Sequence, residues 1–255
     1  KYLGKNFEIH GGGRDLIFPH HENEIAQSES FTSEQFAKIW MHAGMITING
    51  EKMSKSIGNV KSINHVLEYW GPNVVRLFCI SGHYSKPIDY TEDLLKENLI
   101  RLRQIEICYY ELRLADKTEE LDDISSLLKE SREKFDAALN DDFNTSLGLS
   151  VFFNMVKTIN SLASDEKINK TISEQALPIL EYMLEVLGLK VQTVSDNEIK
   201  SIFDLINKRE KLRDEKKFEE ADKIRDQIAS LGISLIDHKN KTLWMKKEAI
   251  KAEKQ

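Results

Sequence analysis

Cysteine is scarce in this sequence: Cys79 and Cys108 are the only two among 255 residues. Both sit in apolar, periodic segments. That excludes a disulfide-stapled scaffold and fits buried thiols in a reducing compartment. Long apolar runs are missing as well. Nothing approaches the ~20 consecutive apolar residues of a membrane span. No signal peptide is recognisable, so a cytoplasmic setting is the default expectation. An overall excess of positive charge is also absent, because the formal net charge is −6. There is no internal repeat, no low-complexity tract, no G-x-G-x-x-G fingerprint, no zincin pattern and no calcium-loop spacing.

What remains is a charge-rich globular composition, 40% apolar and 31% charged. That suffices for one large domain or two to three smaller ones. Charge is unevenly spread. Residues 197–255 hold 15 Lys and Arg against 12 Asp and Glu, and the rest of the chain holds 21 against 30. A basic tail on an acidic body is a mild pointer to a nucleic-acid partner. The opening residues are too short to build anything ahead of the first strand. A parallel α/β sheet needs more strands than this segment offers, so the chain reads as the C-terminal part of a larger protein.

The densest chemistry lies in residues 7–24, FEIHGGGRDLIFPHHENE. Phe7–His10 reads as a buried strand ending at a glycine loop, where backbone can approach a ligand closely. Pro19 suits the first position of a helix, which the pattern runs from His20 to Ser28. His20 and Glu24 stand four apart and share a helix face. Such a pair suits zinc, but zinc takes about four ligands and this segment supplies two. Taken alone, His20 is more often a packed or capping histidine. Phe36–Trp40 is apolar at helical spacing, Met41–Ile48 reads as a strand, and Asn49-Gly50 is a two-residue hairpin turn. The loop that follows, 51–59, carries Lys52 and Lys55. It reads either as a solvated turn or as a mobile phosphate-binding loop in which lysine acts as a point charge.

Lys52-Met53-Ser54-Lys55-Ser56 is a letter-perfect KMSKS signature of class I aminoacyl-tRNA synthetases. With the stretch Phe7–Glu24 at the right spacing, the chain closely resembles the cysteinyl-tRNA synthetases from about Gly4 to Trp244. The resemblance implies a fold in three parts. These are the C-terminal part of a Rossmann-type class I catalytic domain, then an antiparallel α-helical bundle, then a small α+β anticodon-binding domain. The corresponding divisions are 1–62 with the KMSKS loop, 63–118 for a stem-contact helical region, 119–192 for the bundle and 197–248 for the anticodon domain.

The resemblance also implies a chemistry: ATP-dependent activation of L-cysteine, with Mg accompanying the ATP, then transfer of cysteine to tRNA(Cys). By match to the family, His20 and Glu24 are two ligands of one zinc ion. Its two cysteine ligands fall on neither Cys79 nor Cys108 and are expected upstream of residue 1. The HIGH signature is missing too, so the chain alone is not expected to be a competent enzyme. His10 and Asp15 match the cysteine pocket, though Asp15 fits a loop-capping role equally well. Gly44 and Met45 match the backbone that meets adenine. Lys55, with Lys52 as second cation, matches the residues that meet the polyphosphate. Arg213, Asp222 and Asp237 match positions that contact anticodon bases, against a plain reading as surface ion pairs. Phe218 and Trp244 read as core residues rather than stacking platforms. A monomer is implied by analogy. Two other readings are a non-catalytic tRNA-binding module, and a cysteine ligase that uses the same core on an amino-sugar acceptor. The intact KMSKS loop argues against the first. The anticodon-like helix pair argues against the second.

Between the loop and the tail the pattern is helical. Ser62 caps a helix that Gly71 stops, and Pro72 opens the next. Ser81–Tyr84 and Asp89–Thr91 read as an irregular connector, and Glu92–Leu114 as a long helix. Residues 140–145 read as a helix cap. Lys190–Asp196 reads as a linker, and the last ten residues as a frayed end.

Overall fold

The computed structural model describes residues 2–53, 61–115, 123–192, 194–237, 242–246 and 251–254. Ser54, Lys55 and Ser56 lie outside them, as does most of the polar linker expected at 116–123.

Strands β1 (Phe7–Gly13) and β2 (Ala37–Ala43) pair in parallel, with His10 opposite Trp40 and Gly12 opposite His42. A parallel pair needs a crossover, and helix α1 (Glu22–Thr32) supplies it. Three expectations change here. The strand runs on through all three glycines and is not buried, since Ile9 and its partner Ile39 are exposed. The run at Phe36–Trp40 is not helical: from Ala37 onward it is β2 itself. A short apolar run is ambiguous by periodicity alone, and pairing with β1 decides it. The helix starts at Glu22 rather than His20, because Phe18 is extended (φ −133°, ψ 133°) and His20 and His21 occupy a wider turn over Ile17–His21.

Residues 41–48 are not one strand. They divide between β2 and β3 (Ile46–Ile48), with Gly44 and Met45 between. β3 lies in a second sheet, antiparallel to β4 (Glu51–Lys52) and parallel to β5 (Ile88–Tyr90). The β3–β4 turn is the expected one. Asn49 and Gly50 have φ of 51° and 79°, the left-handed pair that a type I′ hairpin requires. β5 was hidden in the apparently irregular connector, because its Ile-Asp-Tyr is too short to show alternation.

Helices then take over. Ser62 caps α2 (Ile63–Trp70) by accepting from the His65 N–H at 3.2 Å, and Pro72 opens α3 (Pro72–Ile80). α4 (Glu92–Arg113), α5 (Ser125–Asn140), α6 (Thr145–Ser164) and α7 (Lys170–Leu187) pack as a bundle around Leu102, Ile105, Phe135, Phe152, Ile159 and Leu180. Asn144 caps α6 through the Leu147 N–H at 3.1 Å.

The expected linker is held at Lys190 and Gln192. Asn73 Nδ2 donates to the Lys190 carbonyl at 2.8 Å, and the Lys190 N–H donates to Asn73 Oδ1 at 3.0 Å. The Tyr110 hydroxyl donates to the Gln192 carbonyl.

The tail folds as α8 (Asp196–Asp214), α9 (Phe218–Ser230) and the antiparallel hairpin β6 (Ile233–Asp237) and β7 (Thr242–Lys246). Trp244 is buried against Tyr110 of α4, with ring centroids 4.8 Å apart. Phe218 is not core: it is 60% exposed. The buried stripe of α9 is Ala221, Ile224 and Ile228, and Phe218 projects roughly a quarter-turn away from it. Of the last ten residues, 247–250 and 255 lie outside the described ones; Lys251–Lys254 forms a short turn, and Lys251 pairs with Glu68 of α2 at 3.1 Å. Among the described residues no helix is long and apolar enough to cross a membrane.

Candidate functional site

Gly12 has its side-chain place filled by a buried ring, while the space at Gly13 is taken by the exposed Asp15 side chain. A Cβ on Gly12 would sit 2.7 Å from Cε1 of His21, and one on Gly13 would sit 2.5 Å from Oδ1 of Asp15. Four histidines, a tryptophan and a carboxylate crowd this place. Glu24 receives two of them. His10 Nε2 is 3.3 Å from its Oε2, and His20 Nε2 is 3.5 Å from its Oε1. The His20–Glu24 contact is the i,i+4 adjacency expected of a helical turn. His10 reaches Glu24 only through the fold. Glu24 Oε2 is buried, with no hydrogen-bond partner among the described residues.

His21 is 3% exposed, and its Nδ1 lies 2.9 Å from His42 Nε2, so one of the two nitrogens donates. Burial holds the His21 imidazole below its ordinary pKa, and the charges of His10 and His42 push it the same way. Trp40 lies 4.6 Å from the His10 ring and stacks on His42 at 5.9 Å. His10, His21 and Glu24 offer ligand atoms within 4.8 Å of one another. Such a donor set of imidazole and carboxylate suits zinc. Neither cysteine belongs to it. Cys108 is wholly buried, and burial pushes its thiol far up, away from thiolate chemistry; Cys79 is raised by burial as well.

His21, His42 and Trp40 were not singled out from sequence. Trp40 and His42 are two apart and share a strand face, a signal that vanishes when Phe36–Trp40 is read as helix. Asp15 is exposed, on the turn after β1, with its carboxylate over Gly13.

Gly44 and Met45 form the joint between the two sheets. The Gly44 N–H donates to the Tyr84 carbonyl at 2.8 Å, and Met45 O accepts from the Ile88 N–H at 3.1 Å. Gly44 has no room for a side chain: a Cβ would lie 2.0 Å from the Lys86 carbonyl oxygen. Lys52 ends β4, exposed, across from Thr47. Asp89 braces the same hairpin, accepting at Oδ1 from Thr47 Oγ1 at 2.6 Å and from the Gly50 N–H at 2.8 Å. Far away, Arg213 and Asp222 are exposed on α8 and α9. The Asp237 side chain lies outside the described atoms.

The family model "tRNA synthetases class I (C) catalytic domain" matches residues 1–99, and the "DALR domain" matches residues 134–192. A cysteine–tRNA ligase of Caldicellulosiruptor saccharolyticus is 40% identical over 93% of this chain and 52% of its own length. Those of Thermococcus onnurineus and Fusobacterium nucleatum are 40% and 41% identical over 96% of this chain and 54% of theirs. The chain belongs to the cysteinyl-tRNA synthetase family. It spans about half the length of the curated relatives it matches. The class I fold is shared more widely. The LeuRS of Agrobacterium radiobacter K84, solved with tRNA and LeuAMS, superposes on 69% of this chain and 25% of its own at a TM-score of 0.56 and 17% identity. Mycobacterium tuberculosis methionyl-tRNA synthetase, solved with methionyl-adenylate, covers 70% of this chain and 39% of its own at 0.52, also with 17% identity. The imidazole and carboxylate cluster lies within the match to the catalytic-domain model, and α6 and α7 lie within the DALR match.

Proposed function

We propose that these residues serve the ATP-dependent joining of L-cysteine to tRNA(Cys). The observation that carries the reading is Glu24, engaged from two sides by His10 and His20 beside the glycine strand, with Oε2 otherwise unpartnered among the described residues.

In this reading His20 and Glu24 hold one zinc ion, and the family resemblance assigns its remaining ligands to cysteines outside this sequence. When bound, the zinc supplies a contact that favours a thiolate over a serine hydroxyl. His21 is a support rather than a ligand, because its Nδ1 is engaged by His42 and its Nε2 edge fills the space beside Gly12. His10 borders the thiol, and Asp15 pairs the substrate ammonium. The Gly44–Met45 backbone faces the adenine of ATP, which arrives with Mg. Lys55, seconded by Lys52, stabilises charge on the departing pyrophosphate; only stabilisation that grows in the transition state speeds that step. Arg213, Asp222 and Asp237 read anticodon bases through donor forks and acceptors.

The functional division is 1–62 catalytic, 63–118 stem contact, 119–192 bundle and 197–248 anticodon, in a protein acting as a cytoplasmic monomer. The test is ATP–pyrophosphate exchange by the full polypeptide that carries these residues. Cysteine supports exchange, and serine is rejected by on the order of 10⁴-fold, the scale of sites built around one polar contact. Equal exchange with both amino acids, or none with cysteine, overturns the reading.

A further inference from the structure

The turn joining α5 to α6 reaches across to the Gly44–Met45 joint. Tyr84 OH donates to Asp142 Oδ1 at 2.8 Å, bridging 58 residues of sequence. Thr145 Oγ1 donates to the Gly82 carbonyl at 3.2 Å, and His83 Nε2 lies 3.7 Å from Asp142 Oδ2. The docked loop, Gly82–Lys86, is closed by the Lys86 N–H donating to the His83 carbonyl at 2.9 Å. Its other side is the backing of Gly44 and Met45. Tyr84 thus carries both ends of the link: its hydroxyl meets Asp142, and its carbonyl holds the Gly44 N–H.

The turn itself is held in an unfavourable shape. Asp142 and Phe143 have φ of 50° and 52°, a left-handed region that side chains other than glycine seldom occupy and that is costlier for Phe than for Asp. Several backbone bonds close it, among them those from the Phe143 N–H to the Leu139 carbonyl at 3.2 Å and from the Asn144 N–H to the Ala138 carbonyl at 3.1 Å. The Asp142 side chain is largely exposed, and its carboxylate is held by its contacts with Tyr84 and His83. Strain of this kind survives where the surroundings over-determine it and tends to mark a working part of the molecule. The Asp142 hydrogen bond raises the Tyr84 pKa, so the phenol remains a donor at neutral pH.

We propose that Asp142 is a positioning residue for the nucleotide, acting through Tyr84 to fix the Gly44–Met45 backbone. This rests on the reading that Gly44 and Met45 face adenine. The helical bundle then sets the nucleotide platform through this link, and small misplacements of such a platform are costly. The link is neither part of the metal cluster nor part of the lysine loop.

The test uses the full polypeptide with Tyr84→Phe, Asp142→Gly, the double variant and Asp142→Asn. Asp142→Gly removes the carboxylate and tolerates the left-handed backbone. Asp142→Asn keeps an acceptor in a residue that also tolerates it. Tyr84→Phe and Asp142→Gly each raise the KM for ATP in cysteine-dependent exchange by roughly threefold to tenfold, the scale of one net hydrogen bond. The KM for cysteine does not change, the double variant is no worse than the weaker single, and Asp142→Asn stays near wild type. Calorimetric titration with ATP alone gives the same ratio of Kd values, independent of the amino acid. An unchanged ATP affinity in both single variants, or equal losses for ATP and cysteine, overturns the proposal. Absence of cysteine-dependent exchange in the wild type counts against the proposed reaction; the ATP titration then still decides this one.

Discussion

Gly12 and His21 occupy one space. The buried His21 ring lies where a Gly12 side chain would begin, 2.7 Å from an ideal Cβ. The same ring is bonded to His42 and packs edge-on to His10. The strand's missing side chain and the buried imidazole are therefore one feature, and a change in either moves the other.

Gly12→Ala tests that dependence. The added methyl starts 2.7 Å from a buried ring that is bonded to His42, so the substitution acts as overpacking, at about 1–3 kcal/mol of stability. Displacement of His21 also disturbs His10 and, through it, Glu24. Thermal unfolding of the variant, with zinc content measured on the full polypeptide, checks both. An unchanged midpoint with unchanged zinc would show that the ring yields freely.

Asp89 confers a pH dependence on the β3–β4 hairpin. Hydrogen bonds from Thr47 and then Gly50 hold its carboxyl below the usual value of 3.8. A depressed pKa means that the stabilisation is complete above 3.8 and is lost as pH falls through the lower, folded-state value. The difference in stability between wild type and Asp89→Ala should be constant from neutral pH to about pH 5 and shrink below pH 4. A difference that grows on acidification would contradict the assignment.

Lys55→Ala addresses the pyrophosphate step. In the full polypeptide, adenylate formation falls by roughly 10²-fold or more, the loss typical of one preorganised charge contact. Cysteine affinity and transfer from preformed adenylate to tRNA remain near normal, since no pyrophosphate leaves during transfer. Single-turnover rates of the two steps separate the cases; equal slowing of both would assign the loop a structural role.

Arg213→Ala addresses the other end of the chain. Its guanidinium is exposed on the last turn of α8, far in sequence from the catalytic cluster. Aminoacylation of tRNA should weaken while ATP–pyrophosphate exchange stays intact. Parallel losses in both assays would point to stability instead.

Much of this was readable from local chemistry. Ser62, Gly71 and Pro72 bound their helices, because a capping oxygen, a glycine with positive φ and a proline act within one turn of chain. Asn49-Gly50 specified its hairpin in the same way. The KMSKS letters and the His20–Glu24 spacing are equally local, and they pointed to the family before any coordinates. Tertiary structure alone decided the remainder. Phe36–Trp40 is strand from Ala37 onward rather than helix because β1 pairs with Ala37, Ile39 and Trp40. His10 meets Glu24, His21 meets His42 and Tyr84 meets Asp142 because separate elements converge there. Sequence period records which face of an element is apolar. It does not record which other element will cover that face, and the cluster around Glu24 is made of such meetings.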